Sequence, residues 1–348
     1  MIELRSDTFT VPTAAMRRAM AEARVGDDVY GEDPTVNHLE EYAAALLGKQ
    51  AGCLLPSGTM ANLASILAWA PRGGRLLVGA RTDVYCYEAG GYSALGGVVC
   101  TPIPNRSDGG LDPADLRAEF DDTDDSQIAP VALICLENTQ CQCGGTVLSP
   151  EHDQAVRALA DARGVPIHLD GARIFNAAVA TGRPVADVAA VGDTVQFCLS
   201  KGLGAPIGSM VVGTTEAVAR VRRIRKMLGG GMRQAGVIAA AGLLALTEMV
   251  DRLAEDHTNA ARLAAGLAGL PGLRVQVPQT NIVMFDVLDD RLTQAAFVAA
   301  AHARGVAVME LGGRVRAVTH AGVDAEQIDR AVEAFAAVLA KTPVAVVG

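Results

Sequence analysis

Seven short apolar runs, parted from one another by segments at helical period, constrain this chain more than any other feature of it. They read GCLL, RLLVGA, GVVCTPI, VALICLEN, VPIHLD, TVQFCLS and GSMVVG, and they are rich in Val, Ile and Leu. Strands of this kind belong to a sheet buried on both faces, so an α/β fold with helices covering the sheet is expected. Several helix starts are marked. Asp33, Asp112 and Ser149 each precede a proline, an N-cap followed by a residue that needs no hydrogen-bonded N–H, and Gly48 and Gly164 are natural stops.

At 348 residues the chain exceeds the roughly 250 to 300 that one core supports, so two domains are predicted. After the apolar stretch AGVIAAAGLLALTEM the pattern shortens to helix, LRVQV, NIVMFDV, helix, VAVMEL, RVRAVTH and a last helix near Val332. The boundary is therefore drawn with residues 1–246, including the N-terminal segment, in a large α/β domain and 247–348 in a small C-terminal α+β domain. The acidic DDTDD at Asp121 to Asp125 reads as a solvated loop.

Several classes are disfavoured. The net charge of −9 comes with no basic stripe for phosphates, so nucleic acid is not an expected partner. The longest apolar stretch, Ala235 to Leu246, is shorter than the ~20 residues a membrane crossing needs and reads as a buried helix. MIELRSDTFTVP lacks the apolar core of a secretion signal, so a cytoplasmic location is expected. The seven cysteines read as reduced thiols. Cys141 and Cys143 form a C-x-C that nothing nearby in sequence completes into a zinc site, so no metal is expected.

The chemistry is carried by QFCLSKGLGAPIGSMVVG, where Lys201 follows an apolar run and is surrounded by small residues. Upstream, in VPIHLDGARIF, another apolar run ends in Asp170. Both fall at the C-terminal ends of strands, where open α/β sheets build their sites. Taken singly, either residue reads as an ordinary strand-end charge. Together they suit pyridoxal phosphate, whose aldehyde bonds to an amine and whose ring nitrogen needs an anionic partner. Ser57, Gly58 and Thr59 open the helix in PSGTMANLASILAW, a phosphate site or simply a good N-cap. The spacing Gly202-x-Gly204-x-x-x-Gly208 is no dinucleotide fingerprint, because a strand rather than a helix comes next.

With these pieces, the sequence resembles the threonine aldolase family of fold type I pyridoxal phosphate enzymes. The resemblance rests on LRSDTFTVPTAAMRRAM, GDDVYGEDPTVNHLEE, PSGTMANLASI, YEAGG, LENT, HLDGARIFNAAV, LSKGLGAPIGSM and GGGMRQAG, and it spans nearly the whole chain. It implies an aspartate-aminotransferase-like large domain with a mostly parallel seven-stranded sheet, and retro-aldol cleavage of a β-hydroxy-α-amino acid to glycine and an aldehyde. Lys201 would join the cofactor, Asp170 would face its ring nitrogen, and Ser57, Gly58 and Thr59 would hold its phosphate. Arg173, Arg316 and Ser6 match positions that grip the substrate carboxylate, a task suited to guanidinium forks. Tyr30 and Arg233 match residues supplied by a neighbouring subunit, Arg233 toward the phosphate, so a homodimer or homotetramer with shared sites is implied. Glu88 and Asn138 match further pocket positions.

The chain departs from the family pattern at two places. Asp83 stands where a histidine usually faces the cofactor, and LENTQCQCGG carries Gln140 where a second histidine is usual. Proton removal from the β-hydroxyl then falls to Asp83, if burial raises its pKa, or to a water beside Glu88. Either these are drifted positioning residues, or the reaction has changed to transaldol transfer, β-elimination or racemisation on a specialised amino acid. A cofactor-binding but inactive protein and a nicotinamide oxidoreductase fit the motifs less well.

Overall fold

The computed structural model describes residues 1–120, 125–289 and 291–340; the DDTDD segment lies outside these except for Asp125. The chain enters through a two-residue strand, β1 (Ile2–Glu3). Seven strands then follow: β2 (Ala51–Leu55), β3 (Arg75–Gly79), β4 (Val99–Ile103), β5 (Val131–Glu137), β6 (Ile167–Asp170), β7 (Thr194–Cys198) and β8 (Ser209–Gly213). These are the seven apolar runs. They form one sheet in the order β2-β8-β7-β6-β5-β3-β4, in which β8 is antiparallel to both neighbours and the other six run parallel.

Helices cover both faces, as near-continuous burial of these strands requires. On one face the helices Pro34–Leu46, Pro150–Arg163 and Gly236–Glu248 contribute to the largest core; on the other, Gly58–Trp69 and Thr215–Met227 supply smaller ones. The predicted caps are present. Asp33, Asp112 and Ser149 accept from N–H groups of the first turn with proline at the start, and Gly164 ends its helix at φ 65°. No helix among the described residues is long and apolar enough to cross a membrane.

The C-terminal part has its own sheet, β12-β13-β10-β9, made of β9 (Leu273–Val275), β10 (Ile282–Val287), β12 (Met309–Leu311) and β13 (Arg314–Val318), while β11 (Val306–Ala307) pairs in parallel with β1. VAVMEL is thus two short strands rather than one. Apolar packing does not follow a cut at 246/247. Ile2 and Leu4 lie in the C-terminal core, while the helix Leu253–Ala268 places Leu253 in the large core and Ala260, Leu263 and Leu267 in the C-terminal one. Pairing with β11 draws the first residues across, because an unpaired strand would leave buried backbone groups unsatisfied.

Candidate active site

Parallel strands expose their C-terminal ends on one edge, and the chemistry-bearing residues collect there. Asp170 is the last residue of β6, level with Glu137 of β5 and Gln196 of β7. Lys201 follows β7, Asp83 follows β3, and the Ser57–Thr59 helix start follows β2. Among them lies a cavity of about 290 Å³, lined by Ser57, Gly58, Thr59, Asp83, Glu88, Asp170 and Lys201, with Thr8, Asn62, Tyr87 and Gln196 beside them.

Asp170 is held by three N–H donors. Gln196 Nε2 at 2.8 Å and the Ala172 backbone at 3.0 Å reach Oδ1, and Asn62 Nδ2 at 2.9 Å reaches Oδ2. Asn62 is itself oriented from behind. Its Oδ1 can only accept, so His168 Nε2, 3.0 Å away, carries the ring proton and His168 Nδ1 accepts from Thr194 Oγ1 at 2.9 Å. Trp69 Nε1 donates to the same hydroxyl at 3.1 Å. Burial lowers the His168 pKa to about 3, which keeps the ring neutral and the donor direction fixed. The other Asn62 amide proton goes to Glu88 Oε1 at 2.8 Å.

The wall beside Asp170 is acidic. Burial, reinforced by Asp170 and Asp83 against the Asn62 hydrogen bond and Lys201, pushes Glu88 up to about 8. Burial, with Asp83 and Asp170 adding to it, raises Glu137 well above the ordinary range; its oxygens accept from the backbone N–H groups of Asp83 and Cys141 at 2.7 and 2.8 Å. Lys201 forms no side-chain hydrogen bond or ion pair among the described residues. Burial opposes its charge, yet Cys198, Asp83 and Asp7 together outweigh burial and Arg173 and raise its pKa.

The expected substrate residues are not among these lining side chains. Arg173 matches a position expected to grip the substrate carboxylate. Its Nε and Nη2 both bond Asp7, each at 2.7 Å, in a buried pair, and this guanidinium holds Asp7 well below the carboxylate range although burial alone would raise it. Ser6 Oγ accepts from Thr8 N–H at 3.3 Å and donates to Asp7. Arg316 donates to Cys141 Sγ, Met309 Sδ and the Arg5 carbonyl. Gln140 donates its amide to the Arg81 carbonyl at 2.5 Å and accepts from Cys143 N–H at 2.6 Å, so that it braces a turn. Asn138 is buried, its Oδ1 accepting from Leu148 N–H at 3.4 Å. Tyr30, 75% exposed, and Arg233, paired with Asp27 at 2.9 Å, do not line this cavity.

Sequence reasoning missed Asp7, Asn62, His168 and Gln196. A signal existed for Asn62, a lone amide in the apolar helix MANLASILAW, since a buried amide requires partners. Asp7 gave none, because its partner is distant in sequence.

The site suits a pyridoxal phosphate. It offers a lysine amine without a partner among the described residues, a firmly held carboxylate lining the same cavity, and a helix N-terminus whose Gly58 lies so close to the strands that a Cβ there would stand 3.0 Å from Cys198 Sγ.

Residues 3–290 match the family model described as beta-eliminating lyase. The chain is 42% identical over 340 residues to low-specificity L-threonine aldolase 1 of Arabidopsis thaliana, covering 96% of this chain and 95% of that one. It is 44% identical to the low specificity L-threonine aldolase of Escherichia coli strain K12, covering 98% and 100%. Among solved structures, the threonine aldolase of Leishmania major superposes with a TM-score of 0.82 at 20% identity, covering 96% and 98%. A Sphingomonas wittichii serine palmitoyltransferase superposes with 0.74 at 20% identity, covering 97% and 86%, so the fold is shared more widely.

Proposed function

The chain belongs to the beta-eliminating lyase family, and from that premise we propose that it is a pyridoxal phosphate-dependent aldolase cleaving L-threonine-type β-hydroxy-α-amino acids to glycine and an aldehyde. One observation carries the reading: an amine without a partner among the described residues, Lys201, and a triply held carboxylate, Asp170, line the same cavity. Lys201 would be the covalent anchor of the cofactor, Asp170 would face its ring nitrogen, and Ser57, Gly58 and Thr59 would hold its phosphate at their helix start. When bound, the cofactor supplies an electron sink for the pair released as Cα–Cβ breaks.

The protein's part is orientation and proton handling. Arg316 grips the substrate carboxylate with Ser6 nearby, while Arg173, tied to Asp7, fixes the N-terminal segment that carries Ser6. Held so, the substrate would be oriented for cleavage of its Cα–Cβ bond, with its β-hydroxyl toward the acidic wall. Asp83 takes the hydroxyl proton as the bond breaks. Glu88, protonated up to about pH 8, hydrogen-bonds from the same side. Tyr30 and Arg233 are offered to the site of a second copy in a homodimer or homotetramer, consistent with their position outside this protomer's cavity. Seven free cysteines suit the reducing cytoplasm.

The test is incubation of cofactor-loaded protein with L-threonine, L-allo-threonine and phenylserine, followed by glycine assay; glycine is expected from at least one. A second reading, transaldol transfer, β-elimination or racemisation, is favoured by Asp83 on the wall and by Gln140 facing the backbone. Bound cofactor with no glycine from any of the three would select it.

A further inference from the structure

The two arginines near the site are built on opposite plans. Arg173 is neutralised by Asp7 through two bonds of 2.7 Å, and Asn281 Nδ2 adds a third contact to that carboxylate at 3.3 Å. Arg316 makes only neutral contacts: Nη1 to Cys141 Sγ at 3.1 Å, Nη2 to Met309 Sδ at 2.9 Å and to the Arg5 carbonyl at 3.0 Å. Its Nε is buried without a hydrogen-bond partner, and no carboxylate lies within ion-pair distance of it among the described residues.

We infer that Cys141 and Met309 are positioning residues for amino-acid recognition, their neutral sulfur atoms fixing Arg316 without cancelling its charge, so that the guanidinium keeps that charge for the substrate α-carboxylate. The inference rests on the reading of the site as one for amino acids, and it assigns the main carboxylate contact to Arg316 rather than Arg173.

Both sulfurs come from fixed backbone. Met309 faces Arg316 in register across β12 and β13, and the Cys141 N–H is pinned by Glu137 at 2.8 Å. A thioether carries no charge at any pH. Burial pushes the Cys141 thiol up by more than Arg173 and Arg316 pull it down, so it too stays neutral at physiological pH. Sulfur is a weak acceptor, and a buried guanidinium with weak acceptors and an orphan N–H gains strongly when an anion arrives. An acidic side chain at either sulfur position would occupy Arg316 in advance, as Asp7 occupies Arg173. The N-terminal segment joins this cradle to the anchor lysine: the Arg5 carbonyl accepts from Arg316, and Thr10 Oγ1 donates to the Lys201 carbonyl at 2.8 Å.

The decisive comparison is Cys141→Asn against Cys141→Asp, side chains of equal size that differ in charge, in full-length protein loaded with pyridoxal phosphate. Binding of glycine and of glycinamide, which lacks the carboxylate, is read from perturbation of the bound-cofactor absorbance. Relative to C141N, C141D is expected to weaken glycine binding by roughly a hundredfold, the scale of one charge-assisted contact, and to leave glycinamide binding within about threefold. For threonine-type substrates KM is expected to rise with kcat little changed. Equal glycine-to-glycinamide preference in the two variants, or parallel loss of both ligands in C141D, overturns the inference. Should C141D not fold, Met309→Gln against Met309→Glu, at a half-buried position, makes the same comparison with the same expected outcome. The same contrast between C141N and C141D in a protein that releases no glycine from hydroxyamino acids supports this inference while removing the aldolase reading.

Discussion

The floor of the cavity and its acidic wall both present carboxylates, but they are surrounded in opposite ways. On the floor, Asp170 accepts three N–H bonds, and a one-way chain from Trp69 through Thr194 and His168 orients one of the donors. On the wall, Glu88 accepts from a single donor among the described residues, Asn62, and lies beside Asp83 and Asp170, while Glu137 is buried nearby. Dense donors fix where a carboxylate stands; crowding without them changes whether it keeps its proton. The floor is thus a rigid reference and the wall an adjustable proton store.

Lys201→Ala is expected to have the largest effect. It removes the one amine on the floor, so turnover and the mass adduct formed by borohydride reduction should both vanish; turnover that survives would break the contrast outright. Asp170→Asn comes next. It keeps the shape but removes the charge that the donors serve, and kcat is expected to fall on the order of a hundredfold or more while the fold persists by circular dichroism. Full activity in that variant would mean the floor is no more demanding than the wall.

The smallest effect, and the one that sharpens the comparison, is Glu88→Gln. Folded Glu88 holds its proton up to about pH 8, whereas an unfolded glutamate releases it near 4.5. The folded state therefore binds more protons between those values, and its stability falls as pH climbs through that window. In cofactor-free protein, E88Q should show a shallower decline of melting temperature over that range than wild type. Identical slopes would remove Glu88 from the proton store.

Why sequence revealed the floor's frame and not its supports follows from range. The seven sheet strands are buried on both faces and so advertise themselves as apolar runs; the caps at Asp33, Asp112 and Ser149 act on their own helix turns and are equally visible. Lys201 and Asp170 were legible because each ends such a run. The Arg173–Asp7 pair joins residues from distant parts of the chain, and only the folded topology brings them together. The bonds of Gln140 were equally invisible: its amide is engaged by the Arg81 carbonyl and the Cys143 N–H, which the sequence LENTQCQCGG does not reveal. VAVMEL broke at Val308 because one half pairs with β1 and the other with β13.

The pairing of Ile2 and Glu3 with Val306 and Ala307 carries a kinetic implication. During synthesis on the ribosome, residues 2–4 emerge early but must wait for a partner made some three hundred positions later, and loop closure on that scale is a late event in folding. The Ser6–Thr10 stretch tethered to them is held back with them. A nascent chain can therefore complete its central sheet long before it has a working pocket, and competence to bind an amino acid arrives only with the last turn of assembly.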